Sequence, residues 1–286
     1  MIVIACGACG ADASDAGSAS QDSTSTETLP LHEVSGLVNA GDHFVAIGDR
    51  TTRVITFRLD GDKVVGVEKH DPLPRASSET GSQFEAVTID GKGHVVVLSE
   101  TGKVIVLDSK CETVLSKSSM DWQSVNSLVD GRIEVNSLGE GAVVLSKDHL
   151  LVALEKHPTA LVEFGPSGSD PIGFIAGTKL TASFSPPEDL VALHVWKVDD
   201  NDAPDISELT VGPDGALWAL TQQGNGILRF ERNLHPTEEK ASVKDHHDLP
   251  DKIKGAEGLA FDGMNPVVAR DRSAESKNVF ILDPIQ

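Results

Sequence analysis

Five stretches of this chain repeat one pattern, and that pattern limits the fold more than any other feature. They read "EVSGLVNAGDHFVAIGDR" (33–50), "FEAVTIDGKGHVVVLSET" (84–101), "GEGAVVLSKDHLLVALEK" (139–156), "SELTVGPDGALWALTQQ" (207–223) and "GAEGLAFDGMNPVVARDR" (255–272). Each opens on a polar or acidic residue and continues with about four mostly apolar ones. A turn rich in Gly, Asp, Asn or Lys follows, then five or six apolar residues and a closing polar group. Turn chemistry of this kind between two β-rich runs is the signature of a hairpin. Gly and Asn in "IDGKGH", "VGPDGA" and "FDGMNP" supply the positive-φ positions that such turns need. A third run follows in each unit: "RVITFRLD" (53–60), "KVIVLDS" (103–109), "ALVEFGP" (160–166), "GILRFER" (226–232) and "NVFILDP" (278–284). A weaker fourth often comes next, as in "KVVGVEK" (63–69) and "ETVLSKS" (112–118).

Four antiparallel strands in a unit of about 50 residues make the blade of a β-propeller. No long amphipathic helical period is present, which excludes an α/β fold. Five first-strand motifs predict an all-β propeller of five blades. Six blades is the alternative, because the interval between the third and fourth copies is long and holds "LVALHVWKV" (190–198). That run is read as the outer strand of the third blade, reached by a loop around "TASFSPPED" (181–189). The last unit ends after its third strand, and "ETLPLHE" (27–33) is placed to supply the fourth and close the ring. Residues 29–286 are then one propeller domain.

Residues 1–28 are different material. After five apolar residues and Cys6, positions 10–28 are almost all Ala, Ser, Asp, Thr, Gly, Gln and Glu, which cannot bury enough apolar area to offset their ordering entropy. A disordered tether is expected. "VIAC" (3–6) resembles a bacterial lipobox, which would make Cys6 the lipidated residue of an exported protein. Neither a basic n-region nor a full-length h-region precedes it. Either the start lies further upstream or the likeness is chance. Cys6, Cys9 and Cys111 form no disulfide framework and no spaced zinc site.

The formal net charge of -20 excludes nucleic acid as a partner, since phosphate binding needs clustered Lys and Arg. Cations, cationic ligands or simple solubility remain. No run reaches the roughly 20 apolar residues of a membrane span, so contact with a membrane is expected only through a lipid anchor. A monomer is expected.

In a propeller the first strand of each blade lines the central channel and the second runs back beside it. The start of the first and the end of the second therefore share one mouth. Glu85, Glu140 and Glu257 fall at first-strand starts. Ser35, preceded by Glu33, and the pair Ser207 and Glu208 take the matching places. Second-strand ends bring Asp49, Glu100, Glu155, Gln222 and Asp271 to the same mouth, accompanied by Arg50, Lys156, Arg270 and Arg272. Two readings of this acidic ring are open. In one, Glu85, Glu140, Glu208 and Glu257 are ligands of a hard cation, for which Ca²⁺ with its six to eight oxygens is the candidate. Arg50, Glu100, Glu155, Lys156 and Asp271 then line the ligand site around it. In the other, each glutamate accepts backbone N–H bonds from the next blade or pairs with Arg or Lys. A one-residue error of register would exchange inward and outward side chains.

The phrases "EVSGL", "FEAVTI", "GEGAVVL", "SELTV" and "AEGLAFDG", each leading into a strand that ends in "GDR", "SET", "EKH" or "RDR", resemble the SdiA-regulated (YjiK-like) proteins. Those are exported bacterial propellers whose repeats read E-G-[IL]-A and then [VI]-S-E. The resemblance spans residues 31–284. It implies a propeller and a place in the cell envelope, periplasmic or extracellular. It carries no established reaction and no catalytic residues. A more distant likeness is to propeller lactonases and phytases, which bind Ca²⁺ at the channel mouth.

Other motifs add little. HExxH, P-loop and EF-hand patterns are missing. "GPSGS" (165–169) lacks the last Gly of a nucleophile elbow. "KDHHDLP" (244–250) is read as a solvated loop, "DDNDAPD" (199–205) as an acidic surface loop, and Trp218 as core between blades. Cys111 has no neighbour in sequence that marks it as reactive. The functional expectation is a non-enzymatic envelope propeller whose acidic mouth binds a metal ion, a small ligand or an envelope protein. The alternative is a Ca²⁺-dependent hydrolase of lactonase or phosphoesterase type.

Overall fold

The structure is a computed structural model that describes residues 24–48, 51–72, 84–129, 138–271 and 277–285. In chain order the strands are β1 (Ser25–Glu27), β2 (Val34–Asn39), β3 (Phe44–Gly48), β4 (Val54–Asp60), β5 (Lys63–His70), β6 (Phe84–Ile89), β7 (Val95–Ser99), β8 (Lys103–Leu107) and β9 (Val114–Asp121). A single helical turn, α1 (Trp122–Val125), precedes β10 (Leu138–Val144), β11 (Leu150–Leu154), β12 (Ala160–Gly165), β13 (Phe174–Ile175) and β14 (Asp189–Lys197). Then come β15 (Glu208–Val211), β16 (Leu217–Thr221), β17 (Gly226–Phe230), β18 (Asn233–Leu234), β19 (Val243–Asp248), β20 (Ala256–Asp262), β21 (Asn265–Arg270) and β22 (Val279–Ile281).

β2 to β5 form one antiparallel sheet, and β15, β16, β17 and β19 another. An eight-stranded sheet is two four-stranded meanders, β6 to β9 and β10-β11-β12-β14, joined by a short parallel pair of β9 with β14. In the last sheet β20, β21 and β22 are completed by β1, from the other end of the chain. The run at 190–198 is thus the outer strand of the third unit, as expected. "KDHHDLP" is not a loop: residues 243–248 are β19, paired with β17. An outer strand has a solvated edge and needs no apolar face, so a polar run can fill it. His247 lies against Trp218 with ring centroids 5.7 Å apart, and burial lowers its pKa.

Successive units pack face to face through apolar clusters. Val38, Ile47 and Val54 meet Phe84, Val87 and Ile105. Leu98 and Val106 meet Val144 and Val152, and Leu161 and Trp196 meet Leu217 and Leu228. Trp218 and Leu220 meet Leu259 and Phe261, and Val267 and Val279 meet Leu37 and Phe57. Each sheet is covered on both faces, which is why β3, β7, β11 and β16 are unbroken apolar runs rather than alternating ones. The inner strands also touch in succession, β2 on β6, β6 on β10, β10 on β15, β15 on β20 and β20 on β2. This is a β-propeller.

Close approach of the inner strands sets a size limit. A Cβ on Gly141 would lie 2.2 Å from the Leu209 backbone nitrogen, where no side chain can yield. We expect Gly141→Ala to cost about 1–3 kcal/mol by overpacking. A melting temperature unchanged from wild type would show that the strands can part freely.

Ring closure rests on Asn278, which is fully buried. Its Oδ1 accepts the Leu29 N–H at 2.7 Å, and its Nδ2 donates to the carbonyls of Leu29 and Leu31 at 3.1 and 3.2 Å. The closing strand is therefore Ser25–Glu27, and the "LPL" that follows serves as the clasped link into β2.

Candidate functional site

The acidic positions are bulges. In four inner strands the ladder slips at its start, between Val34 and Gly36, Phe84 and Ala86, Leu138 and Gly141, and Ala256 and Gly258. The residues passed over include Ser35, Glu85, Glu140 and Glu257. In the fourth unit the Ser207 N–H donates to the Leu220 carbonyl, and Leu220 is also the partner of Glu208. A bulged residue leaves the regular ladder and its side chain is re-aimed. The polar residue at the head of each repeat is thus taken out of the regular ladder.

Five of the expected carboxylates come together here. Burial pushes the Glu140 carboxyl well above the usual range, and the charges of Glu85, Glu155, Glu257 and Glu100 push it further. Lys156 is a cation beside this group. Its Nζ donates to Glu155 Oε1 at 2.7 Å, and this bond, helped by the charges of Glu155, Asp205 and Glu140, holds its pKa above the ordinary lysine value. Gln222 Nε2 donates to Glu257 Oε1 at 2.9 Å, so a second-strand end of one unit reaches the bulge of the next. Among the described residues no three His, Cys, Asp or Glu side chains stand close enough together to hold one metal ion.

The surrounding frame fixes these side chains. Where Ser replaces Glu at the bulge, its hydroxyl reaches the next unit. Ser35 Oγ donates to the Phe84 carbonyl, and Ser207 Oγ to the Ala256 carbonyl at 3.0 Å. Phe84 and Ala256 directly precede Glu85 and Glu257, so each serine anchors the peptide that presents a glutamate. Asp205, expected on the surface, is fully buried. It accepts from Thr221 Oγ1 at 2.5 Å and from the Gln223 N–H at 3.1 and 3.0 Å, shaping the turn that carries Gln222.

Glu208 has another place. It stands one residue beyond the bulge, level with Gly36, Ala86, Gly141 and Gly258 of the other inner strands. Its side chain is fully buried. The Leu37 N–H donates to its Oε2 at 3.1 Å and its neighbour's, Leu209, to its Oε1 at 2.9 Å, with the Leu259 N–H also bonded to it. Three inner strands therefore converge on this one carboxylate. Burial raises its pKa well above the usual range, and the three N–H bonds draw it down only in part.

Asp271 is exposed, and its N–H donates to the Gly255 carbonyl at 3.0 Å. Arg50 and Cys6 lie outside the described residues, as do Asp49 and Arg272. Cys111 sits in the turn after β8, fully buried, and burial followed by the charge of Asp108 pushes its thiol up to about 12. Such a thiol is unreactive at neutral pH.

The opposite end of the channel, which the repeat pattern did not single out, opens into a cavity of about 660 Å³. Val38, Thr88, Val143, Thr210 and Phe261, from the far ends of the five inner strands, line it.

A family model described as SdiA-regulated matches residues 30–267. Among solved structures the chain is similar to glutaminyl cyclase from Myxococcus xanthus, with a TM-score of 0.54 and 13% identity over 92% of this chain and 95% of that one. It is also similar to a catalytically inactive virginiamycin B lyase from Staphylococcus aureus with quinupristin, with a TM-score of 0.50 and 14% identity over 92% and 99% of the two chains. Likeness at these identities is of fold alone. No curated protein matches the sequence.

Proposed function

The chain belongs to the SdiA-regulated family, and from that premise we propose that it is a non-enzymatic, five-bladed propeller that binds a cationic ligand at its acidic mouth. The five-blade reading is supported by β14, which completes the third unit instead of starting a sixth, and by the succession of inner strands. The observation that carries the function is Glu140: a half-buried carboxyl, pressed by the charges of Glu85, Glu155, Glu257 and Glu100. An incoming positive charge would relieve that repulsion. An ammonium or guanidinium group, from a small molecule or from a basic side chain of an envelope protein, needs few oxygens and does not require three carboxylates to meet at one point. Ca²⁺ is the other candidate. It would require the glutamates to draw together, since it takes six to eight oxygens.

Titration of the full chain with spermidine and, separately, with Ca²⁺, read by calorimetry and thermal melting, tests this. Saturable binding of either that vanishes in Glu140→Gln supports the mouth as the site and tells the two cations apart. If neither binds, the acidic mouth serves only the joining of blades. Lactone or phosphoester turnover that needs Ca²⁺ and Glu140 would replace the binding-only reading with the hydrolase one, because a raised carboxyl can serve as a general base.

Glu140 also carries a pH prediction. Its folded pKa lies above the unfolded value, so the folded state holds the extra proton between the two. Stability is then full below about pH 4.3, the ordinary glutamate value, and falls as pH rises from there toward the folded pKa. We expect Glu140→Gln to match wild type near pH 4 and to exceed it at pH 7.5, by on the order of 1 kcal/mol. Equal denaturation midpoints at pH 7.5 would show that the charge is already compensated.

Export to the envelope and lipidation of Cys6 form part of the same proposal, supported by the lipobox-like "VIAC" and the family. Metabolic labelling with a fatty acid, abolished in Cys6→Ser, is the expected result. Absence of label in the wild type would remove the anchor.

A further inference from the structure

We infer that the opposite mouth is a second, separate binding site, for an uncharged and mostly apolar small molecule. The cavity there, about 660 Å³, is of the size that encloses a drug-sized ligand. Its floor is the far ends of the inner strands. Its wall is the long segment between β12 and β14, which folds back over the mouth.

That wall is built in, not draped. Glu163, fully buried on β12, accepts the Ile172 and Gly173 N–H groups, each at 2.8 Å, and contacts His149 Nδ1 at 2.6 Å. From the turn after β6, Asp90 accepts the Phe184 N–H at 2.8 Å, and the Gly91 N–H donates to the Ala182 carbonyl at 3.0 Å. β13 pairs with β18, and the Gly177 N–H donates to the Gly215 carbonyl at 2.9 Å. Gly173 has φ 72°, and a Cβ there would lie 2.1 Å from the Leu234 carbonyl oxygen, so the wall passes where only glycine fits.

The chemistry of the lining selects the ligand. Asp90 is the carboxylate that lines the cavity, and its oxygens are taken up internally by the N–H groups of Lys92, His94 and Phe184 and by the His94 ring. Its oxygens are therefore already occupied, and no Lys, Arg or His lines the cavity to meet an anionic ligand. Thr88, Thr178 and Thr210 also line the cavity, with Asn39, whose amide bonds to the Phe261 carbonyl and the Gly41 N–H. Around them stand Val143, Leu180 and Phe261, and the rim presents Ile172, Ile175 and Val211 as exposed apolar side chains. Exposed large apolar groups gathered at a concave mouth mark a ligand site rather than ordinary surface. Three threonines, Thr88, Thr178 and Thr210, and the Asn39 amide are neutral polar groups set among apolar walls, and they fit a molecule with an apolar body and an uncharged polar group.

The test uses the neutral dye Nile red on the full chain. One dye should bind per chain, saturably and with blue-shifted emission, and 1-decanol should displace it. Val211→Trp, which fills the mouth, and Ile175→Glu, which charges the rim, should each weaken binding by about tenfold or more without lowering the melting temperature; both positions are exposed enough to tolerate the change. Leu115→Glu, at an exposed apolar residue on the outer strand β9, should leave binding unaltered. Non-saturable uptake, no uptake, or binding that survives both mouth variants would overturn the inference.

Discussion

Glu208→Ala should destabilise the protein by about 3–5 kcal/mol, the largest loss expected from any single change at the channel. Truncation leaves the N–H groups of Leu37, Leu209 and Leu259 in the channel without their acceptor. An orphaned buried donor costs about 1–3 kcal/mol each. Three donors from three inner strands make this more than a local loss, because the strands themselves are held at the axis. Glu208→Gln keeps one oxygen and sheds a charge that burial disfavours, so it should lose less than half as much. Denaturant unfolding checks both. If alanine and glutamine cost the same small amount, water has taken over the donors and the carboxylate is no keystone.

Glu163→Ala should cost a similar 3–5 kcal/mol by another route. Its oxygens serve two backbone N–H groups of the wall and a buried histidine ring. Removing a fully buried carboxylate from partners of this kind is strongly destabilising. The loss should come with a second readout: Nile red uptake at the far mouth should fall, since the segment at 172–175 loses its tie. Glu163→Gln should restore part of the stability. A Glu163→Ala protein with wild-type midpoint would show that the wall's other ties, β13 with β18 and the bonds to Asp90, Gly91 and Gly215, suffice to hold it.

The propeller was legible because each repeat carries its own hairpin turns and because second strands buried on both faces read as unbroken apolar runs. The closing strand was legible to within a few residues. Its register was not, since the clasp by Asn278 is a long-range contact without a local signal. The acidic mouth was legible from the Glu at the head of three repeats, and the bulges explain why that position faces out of the ladder. Ser207–Glu208 misled by offering two adjacent polar residues at the one position. The serine takes the bulge and the glutamate falls one step inward, onto the axis. "KDHHDLP" hid a strand because an outer edge needs no apolar pattern. The far cavity was illegible for a different reason. Its wall is irregular chain, and the acids that pin it, Asp90 and Glu163, look in sequence like surface carboxylates.

The pairing of β1 with β22 has a consequence for how the molecule comes into being. The strand that closes the ring, β1, is made before the other described strands, and its partner β22 after them. Until then β1 has no native ladder to join, and the two faces of the unfinished ring that will meet at Leu37, Phe57, Val267 and Val279 stay open to solvent. Closure is thus a late, long-range step of high loop-closure cost. From the making of β2 until that of β22 the growing chain carries an apolar seam, and whatever keeps that seam from meeting another copy of itself governs the yield of folded protein.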